Sequence, residues 1–135
     1  MALKITLKPG ERILVGGAVI QNGSSSTQMY VENSVPILRQ KDILTHEQAN
    51  TPCKRIYLVV QLMYIDGANL AAHHKTYWSL VKDLLKAAPS TLSFIDRISD
   101  LVLGAKYYQA LKLAKKLIDY EEETVKHARR ATGNL

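Results

Sequence analysis

The sequence predicts an α+β fold, in which a small N-terminal antiparallel β-sheet precedes a helical region of about four helices. Short apolar runs separated by turn residues fill the first 50 residues, and a longer apolar segment follows at residues 56–65. Apolar residues at helical spacing dominate the remainder. We therefore divide the chain into a β-rich subdomain, residues 1–50, and a helical subdomain, residues 51–135, which we expect to pack into one compact unit.

Four short strands are expected in the first third of the chain. Residues 3–7 alternate apolar and polar side chains, the period of a strand with one face in water. A second apolar run, residues 13–20, contains Gly16-Gly17, which indicates a bulge or a tight hairpin. The third and fourth strands are expected at residues 29–31 and 35–39. Pro36 cannot donate to a strand ladder, so the fourth strand should lie at an edge.

The apolar segment at residues 56–65 is broken only by Gln61. Apolar side chains on every face require other elements around this segment, whichever backbone conformation it adopts. Thr51 is a good N-cap and Pro52 suits the first helical position, whereas four β-branched residues favour a central strand. We predict a buried helix.

Three further helices are predicted after this segment. The first covers residues 70–88 and the second residues 92–102, with Gly104 as a break. The last starts near Tyr107 and carries an apolar stripe as far as Val125. The run Glu121-Glu122-Glu123 is expected on a solvated face. Residues 126–130 are basic, and the end of the helix is expected to fray after them, at residues 132–134.

Composition narrows the class of protein. The chain has 135 residues, 47% hydrophobic and 22% charged, and a net charge of +6, which permits binding to a polyanion without requiring it. The single Cys53 excludes an internal disulfide and fits a reducing compartment. No apolar run approaches the roughly 20 residues that span a bilayer, and the first ten residues lack the apolar core of a signal peptide. We expect a cytoplasmic protein that does not bind membranes.

Signatures of enzymes and metal sites are absent from the sequence, so we expect neither catalysis nor a cofactor. The paired glycines lack the spacing of a phosphate-binding loop. His73 and His74 are adjacent, so on a helix they point about 100° apart and make a poor metal pair. We expect both side chains to be solvated instead. Cys53 lies near a predicted helix N-terminus, which would stabilise its thiolate, but no partner base is nearby and an incidental buried thiol is the preferred interpretation.

The best candidate site lies on the predicted sheet. Lys4, Thr6 and Lys8 share one face of the first strand, and Arg39, Gln40 and Lys41 end the last strand. Cations and hydroxyls on a strand face can bind phosphates and the edges of unstacked RNA bases. The same residues would also suit any solvated sheet face, and the pattern alone favours that interpretation.

Five blocks, in order along residues 3–121, resemble the FlbT family of bacterial flagellar regulators. They are Leu7-Lys8-Pro9-Gly10-Glu11, Gly17-Ala18-Val19-Ile20-Gln21-Asn22, Leu38-Arg39-Gln40-Lys41-Asp42-Ile43-Leu44, Thr51-Pro52 with Arg55-Ile56-Tyr57, and Tyr107-Tyr108-Gln109-Ala110-Leu111-Lys112 with Leu117-Ile118-Asp119-Tyr120-Glu121. The resemblance implies a post-transcriptional repressor that binds the 5′ untranslated region of flagellin mRNA and blocks its translation or promotes its decay. It also implies two protein partners, the small flagellar protein FlaF and flagellin.

A second resemblance adds a mechanism. Residues 5–16 look like the opening strands of the carbon-storage regulator CsrA, and residues 35–43 are similar to the last strand of that family, with its RNA-contacting arginine. Carried over, this resemblance implies that Thr6, Lys8, Leu38, Arg39 and Gln40 line an RNA groove. The CsrA family has consecutive arginines on its first strand where this chain has Leu7-Lys8. The CsrA family also forms an intertwined dimer, so a homodimer is an expectation here.

We predict an RNA-binding translational repressor with the site Lys4, Thr6, Lys8, Leu38, Arg39, Gln40 and Lys41. The alternative is a protein-interaction module that binds flagellin or FlaF through its helices and affects mRNA only indirectly. In that case Tyr107-Tyr108 would be an exposed anchor instead of part of the core.

Overall fold

The computed structural model describes the backbone of residues 2–133 and the side chains of residues 2–130. Its contacts divide the chain into two compact units, Met1–Ile43 and Leu44–Leu135. The strands of the first unit are β1 (Leu3–Leu7), β2 (Arg12–Val15), β3 (Ala18–Gln21), β4 (Thr27–Val31) and β5 (Ile37–Arg39). The helices of the second unit are α1 (Pro52–Ile65), α2 (Leu70–Ala87), α3 (Leu92–Leu103) and α4 (Tyr107–Gly133). The predicted α+β class is confirmed.

The strands form two small antiparallel sheets, where one sheet of four strands was expected. β1 pairs with β4, and β2 lies between β3 and β5. The second apolar run becomes two strands because Gly16 adopts a positive φ of 59°, which suits the tight turn of a hairpin. β5 lies at a sheet edge, as Pro36 directly before it predicted.

One face of β1 supplies the core of the first unit. Ile5 and Leu7 are 5% and 2% exposed and pack with Ile13 of β2. Partly buried side chains from the other strands surround them: Val15, Met29, Val31 and Ile37. Thr6 is exposed between the two core residues and Lys4 directly before them, so the predicted alternation is confirmed for residues 4–7. Leu3, expected on the apolar face, is 53% exposed.

An ion pair connects the two sheets of this unit. The Nη2 atom of Arg39, on β5, lies 3.0 Å from Oε2 of Glu11. The same nitrogen donates a 2.6 Å hydrogen bond to the backbone oxygen of Thr6 on β1. The Glu11 carboxylate also accepts a 2.9 Å hydrogen bond from the backbone N–H of Lys8. This Glu11–Arg39 pair therefore holds β5, β1 and the turn after β1 together.

The apolar segment is a helix, α1, as predicted, and it packs against both α2 and α4. Half of its 14 residues are buried: Cys53, Ile56, Tyr57, Val59, Val60, Gln61 and Met63. Gln61 is 4% exposed, and its side-chain amide donates to the carbonyl of Leu44 and accepts from the N–H of Leu44, at 3.0 and 2.8 Å. Gln61, the one polar residue in the apolar run, is thus a buried amide whose donor and acceptor groups both form hydrogen bonds.

Two side chains meet at the N-terminus of α1. Thr51 caps the helix as predicted, because its Oγ1 accepts a hydrogen bond from the N–H of Lys54. Glu121 of α4 accepts hydrogen bonds from the Thr51 hydroxyl and the Cys53 N–H. The solvated face predicted for Glu121 is therefore wrong, since a carboxylate is favoured beside the unpaired N–H groups of a helix start. Glu122 is exposed, as expected.

Cys53 is 1% exposed, and burial followed by the nearby Glu121 charge raises the pKa of its thiol to about 12. The stabilised thiolate that the helix N-terminus suggested is therefore excluded, and the burial expected for this thiol is confirmed.

The later helix boundaries follow the predicted breaks. α3 ends at Leu103, directly before Gly104, and Ala105 in the following turn has a φ of 58°. α4 includes Thr132 and Gly133, where fraying was expected, and Asn134 lies outside the described residues. None of the described helices is both long and apolar enough to cross a bilayer.

We expect Glu121→Ala to lower the free energy of unfolding by about 1–2 kcal/mol, because it removes two hydrogen bonds to a charged acceptor. Glu122→Ala, which changes the same charge at an exposed neighbour, should stay within about 0.5 kcal/mol of wild type. Urea titrations followed by helical circular dichroism would measure both. Equal effects of the two substitutions would contradict the capping role of Glu121.

Acid should loosen the first unit through Glu11. The hydrogen bond from the Lys8 N–H, and then Arg39, hold the pKa of this carboxyl below its ordinary value of 4.5. Because this pKa is lower in the folded state than in the unfolded state, the ionised carboxylate contributes its full stabilisation of the folded unit above the unfolded-state pKa. That stabilisation is lost as the pH falls from the unfolded-state pKa through the folded-state pKa.

We therefore expect hydrogen exchange at the β2 and β5 amides to accelerate as the pH falls below about 4.5, after correction for intrinsic exchange. Glu11→Gln should already exchange faster at neutral pH and should show a flatter acid response. Glu32→Gln, at an exposed carboxylate of the same unit, is the matched control. A Glu11→Gln profile identical to wild type would show that the ion pair does not hold the sheets.

Candidate nucleic-acid interface

The outer face of the β1–β4 sheet holds two of the predicted site residues. Lys4 and Thr6 are exposed, opposite the core side of β1. The register places Lys4 directly across from Tyr30 and Thr6 directly across from Gln28. Directly opposed residues of an antiparallel pair share a face, so these four side chains form one patch, which we call the outer-face patch.

Three further predicted residues meet at the end of β1. Lys8, Gln40 and Lys41 line an open depression of about 370 Å³, together with Pro9, Gly10 and Glu11. Both lysines are exposed. The Gln40 Oε1 atom accepts a 2.7 Å hydrogen bond from the N–H of Arg12, which fixes the side chain against β2. The depression therefore offers two exposed ammonium groups beside a positioned amide and the Glu11 carboxylate.

Arg39 is next to this depression, but its charge is balanced. Its Nε and Nη2 atoms donate to the Glu11 carboxylate at 3.0–3.3 Å, and its side chain is 37% exposed. The Glu11 side chain is 14% exposed, and its carboxyl, whose pKa is lowered further from the ordinary value, is ionised at neutral pH. Among the described residues, the exposed positive charges of the proposed site that lie in no ion pair are therefore those of Lys4, Lys8 and Lys41, and the Glu11 carboxylate also attracts Lys8.

Leu38 does not lie in a groove. Its side chain is 1% exposed in the core, so the expectation that it lines an RNA groove is corrected. Neighbouring residues of a strand point to opposite faces, so Leu38 points into the core and Arg39 points away from it.

The structure thus gathers six of the seven predicted residues into two groups within the first unit. Lys4 and Thr6 lie on the outer-face patch, and Lys8, Gln40 and Lys41 lie around the depression. Arg39 joins the groups through its bond to the Thr6 backbone. Sequence reasoning missed Gln28 and Tyr30, because β4 follows β1 only after two intervening strands and their register cannot be read from the residues.

Other chemistry has little support among the described residues. No group of three or more His, Cys, Asp or Glu side chains there could hold a metal ion. His73 contacts Asp66 and His74 contacts the hydroxyl of Tyr107, so the two rings serve different partners, and neither is the freely solvated side chain expected from sequence.

Comparison with known proteins finds one family, which covers most of the chain. The family described as "Flagellar protein FlbT" matches residues 3–125. A probable flagellum biosynthesis repressor protein FlbT 1 of Bradyrhizobium diazoefficiens is 49% identical over 124 residues, covering 91% of this chain and 84% of the relative. A probable flagellum biosynthesis repressor protein FlbT of Rhodopseudomonas palustris is 44% identical, covering 91% of this chain and 97% of the relative.

The flagellum biosynthesis repressor protein FlbT of Caulobacter vibrioides is 36% identical over 129 residues, with 94% of this chain and 92% of the relative covered. No solved structure matches the chain. Because the family matches residues 3–125 and these relatives are 36–49% identical over more than nine-tenths of the chain, the chain belongs to the FlbT family of flagellar proteins.

Proposed function

We propose that this protein is a post-transcriptional repressor of flagellum biosynthesis that binds the 5′ untranslated region of flagellin mRNA. Binding would block translation of the message or promote its decay. The regulatory role is supported by relatives that are named flagellum biosynthesis repressors. The RNA mechanism is supported by one observation above all: three exposed lysines, Lys4, Lys8 and Lys41, lie around the outer-face patch and the depression of one small unit.

The two groups have different roles in this proposal. Lys8 and Lys41 bind phosphates at the depression, where mobile ammonium groups suit a backbone of variable path. The outer-face patch binds the bases. Arg39 acts mainly as a positioning residue, because the Glu11 carboxylate already occupies its Nε and Nη2 donors.

The proposal predicts that Lys8→Ala/Lys41→Ala weakens binding to a flagellin leader transcript. The logarithm of the binding constant falls linearly with the logarithm of the salt concentration, and for single strands each lysine that neutralises a phosphate contributes about 0.7 to the steepness of that slope. Loss of two such lysines should therefore make the slope shallower by about 1.4. Gel-shift titrations at several salt concentrations would measure it.

Lys82→Ala/Lys86→Ala on α2 is the matched control, because both lysines are exposed and the net charge changes equally. This control should keep the wild-type slope. Equal flattening in the two variants would mean that only the total charge matters and that the depression is not a binding site.

A second candidate function is the binding of flagellin or FlaF by the helical unit. It is favoured by exposed apolar side chains on either side of the turn between α3 and α4, where Leu103 is 68% exposed and Tyr108 is 43% exposed. Exposed aromatic and aliphatic groups commonly anchor protein interfaces.

Capture of purified flagellin or FlaF, with and without nuclease, separates the two functions. Under the RNA proposal, nuclease abolishes any association that depends on the transcript, and Leu103→Ser leaves leader binding unchanged. Nuclease-resistant capture that Leu103→Ser removes, together with absent leader binding, would replace the RNA proposal by the protein-binding one.

A further inference from the structure

We infer that Tyr30 is a stacking platform for one unpaired base, and that the outer-face patch around it is a binding site for single-stranded nucleotides. This inference rests on the proposed function and deepens it, because it names the ligand class and adds two residues, Tyr30 and Gln28, to the site. Binding of the leader by wild type tests the proposed function, whereas the difference between wild type and the Tyr30 variants tests the platform.

The exposure of Tyr30 is the first observation. Tyr30, the second-last residue of β4, is 61% exposed, whereas its neighbours Met29 and Val31 are partly buried against the core. An aromatic ring on a small sheet usually gains stability by burial, and this one leaves most of its surface in water.

The surroundings of the ring are the second observation. Lys4 lies directly across the sheet, and Thr6 and Gln28 form the adjacent cross-strand pair on the same face. Opposed residues lie about 5 Å apart and diagonal ones about 7 Å apart, so all four side chains can contact one nucleotide. Among the described residues, the four side chains have no hydrogen-bond, ion-pair or ring partner, and they are free to bind a ligand.

The chemistry of the patch fits a nucleotide better than a protein segment. The Tyr30 ring offers a face for a base, which stacks on aromatic side chains with little sequence preference. The Thr6 hydroxyl and the Gln28 amide can each donate and accept hydrogen bonds at base edges. The Lys4 ammonium supplies the charge for the adjoining phosphate. An apolar protein anchor would instead need apolar neighbours, and the three side chains around Tyr30 are polar.

The patch should discriminate between single strands and duplexes. In a duplex each base is already stacked on both faces, and only its edges are accessible in the grooves. The flat ring of Tyr30 can reach a base face only where the strand is unpaired. Binding should therefore favour loops and unpaired segments over helical stems.

The direct test compares Tyr30→Ala, Tyr30→Phe and Tyr30→Thr with wild type in the full chain. The probes are an unstructured poly-uridine oligonucleotide, its duplex with poly-adenosine, and a flagellin leader transcript. Fluorescence anisotropy would measure affinity at one fixed salt concentration. Tyr108→Ala is the matched control, because Tyr108 is an exposed tyrosine of the helical unit.

We expect Tyr30→Ala to weaken single-strand binding by roughly 5- to 150-fold, the range associated with loss of one base–aromatic stack. Tyr30→Phe keeps the ring and should stay within about twofold of wild type. Tyr30→Thr introduces a residue that favours strands but has no ring, so it should lose as much affinity as Tyr30→Ala. Equal losses would show that the missing ring, and not a destabilised strand, weakens binding. Tyr108→Ala should match wild type on every probe.

Two results would overturn the inference. If wild type binds the leader and Tyr30→Ala and Tyr30→Thr bind equally well, the platform is absent while the wider RNA proposal stands. Tighter wild-type binding to the duplex than to the single strand would also exclude a base-stacking platform. If wild type binds none of the three probes, the proposed function and this inference fail together.

Discussion

The Glu11–Arg39 ion pair joins the two sheets of the N-terminal unit, which also share the apolar core of Ile5, Leu7 and Ile13. Its two sheets are small, with two and three strands, and sheets of this size are marginal alone. The guanidinium of Arg39 bonds both to the Glu11 carboxylate and to the Thr6 backbone, so one side chain connects the two sheets. The pair is partly shielded from solvent, which makes its geometry more effective than that of a fully exposed surface pair.

This pair also divides the positive charges of the unit into two kinds. Arg39 has its charge compensated within the fold, whereas Lys4, Lys8 and Lys41 are exposed and available to a ligand. An arginine contact inferred from resemblance thus becomes a positioning residue in our account, and lysines take the phosphate-binding role. A lysine ammonium is a compact charge on a flexible stem, so it suits contacts with RNA phosphates better than recognition of a particular base. In our proposal the bases are bound by the outer-face patch.

Local signals in the sequence were sufficient for much of the fold. Thr51 and Pro52 marked the start of α1, and the alternation of residues 3–7 assigned the two faces of β1. Long-range pairing was not accessible in the same way: Glu121 caps a helix that begins about 70 residues earlier, and Tyr30 meets Lys4 only because β1 pairs with β4. Leu38 could have been excluded, since adjacent strand residues cannot both face one groove.

Photo-crosslinking of the purified chain to a flagellin leader transcript, with both partners mapped to residue and nucleotide, tests the central claim most directly. Our account predicts crosslinks to β1, to β4 and to the residues of the depression, on unpaired nucleotides of the leader. Crosslinks confined to the helical unit, or confined to base-paired stems, would contradict it.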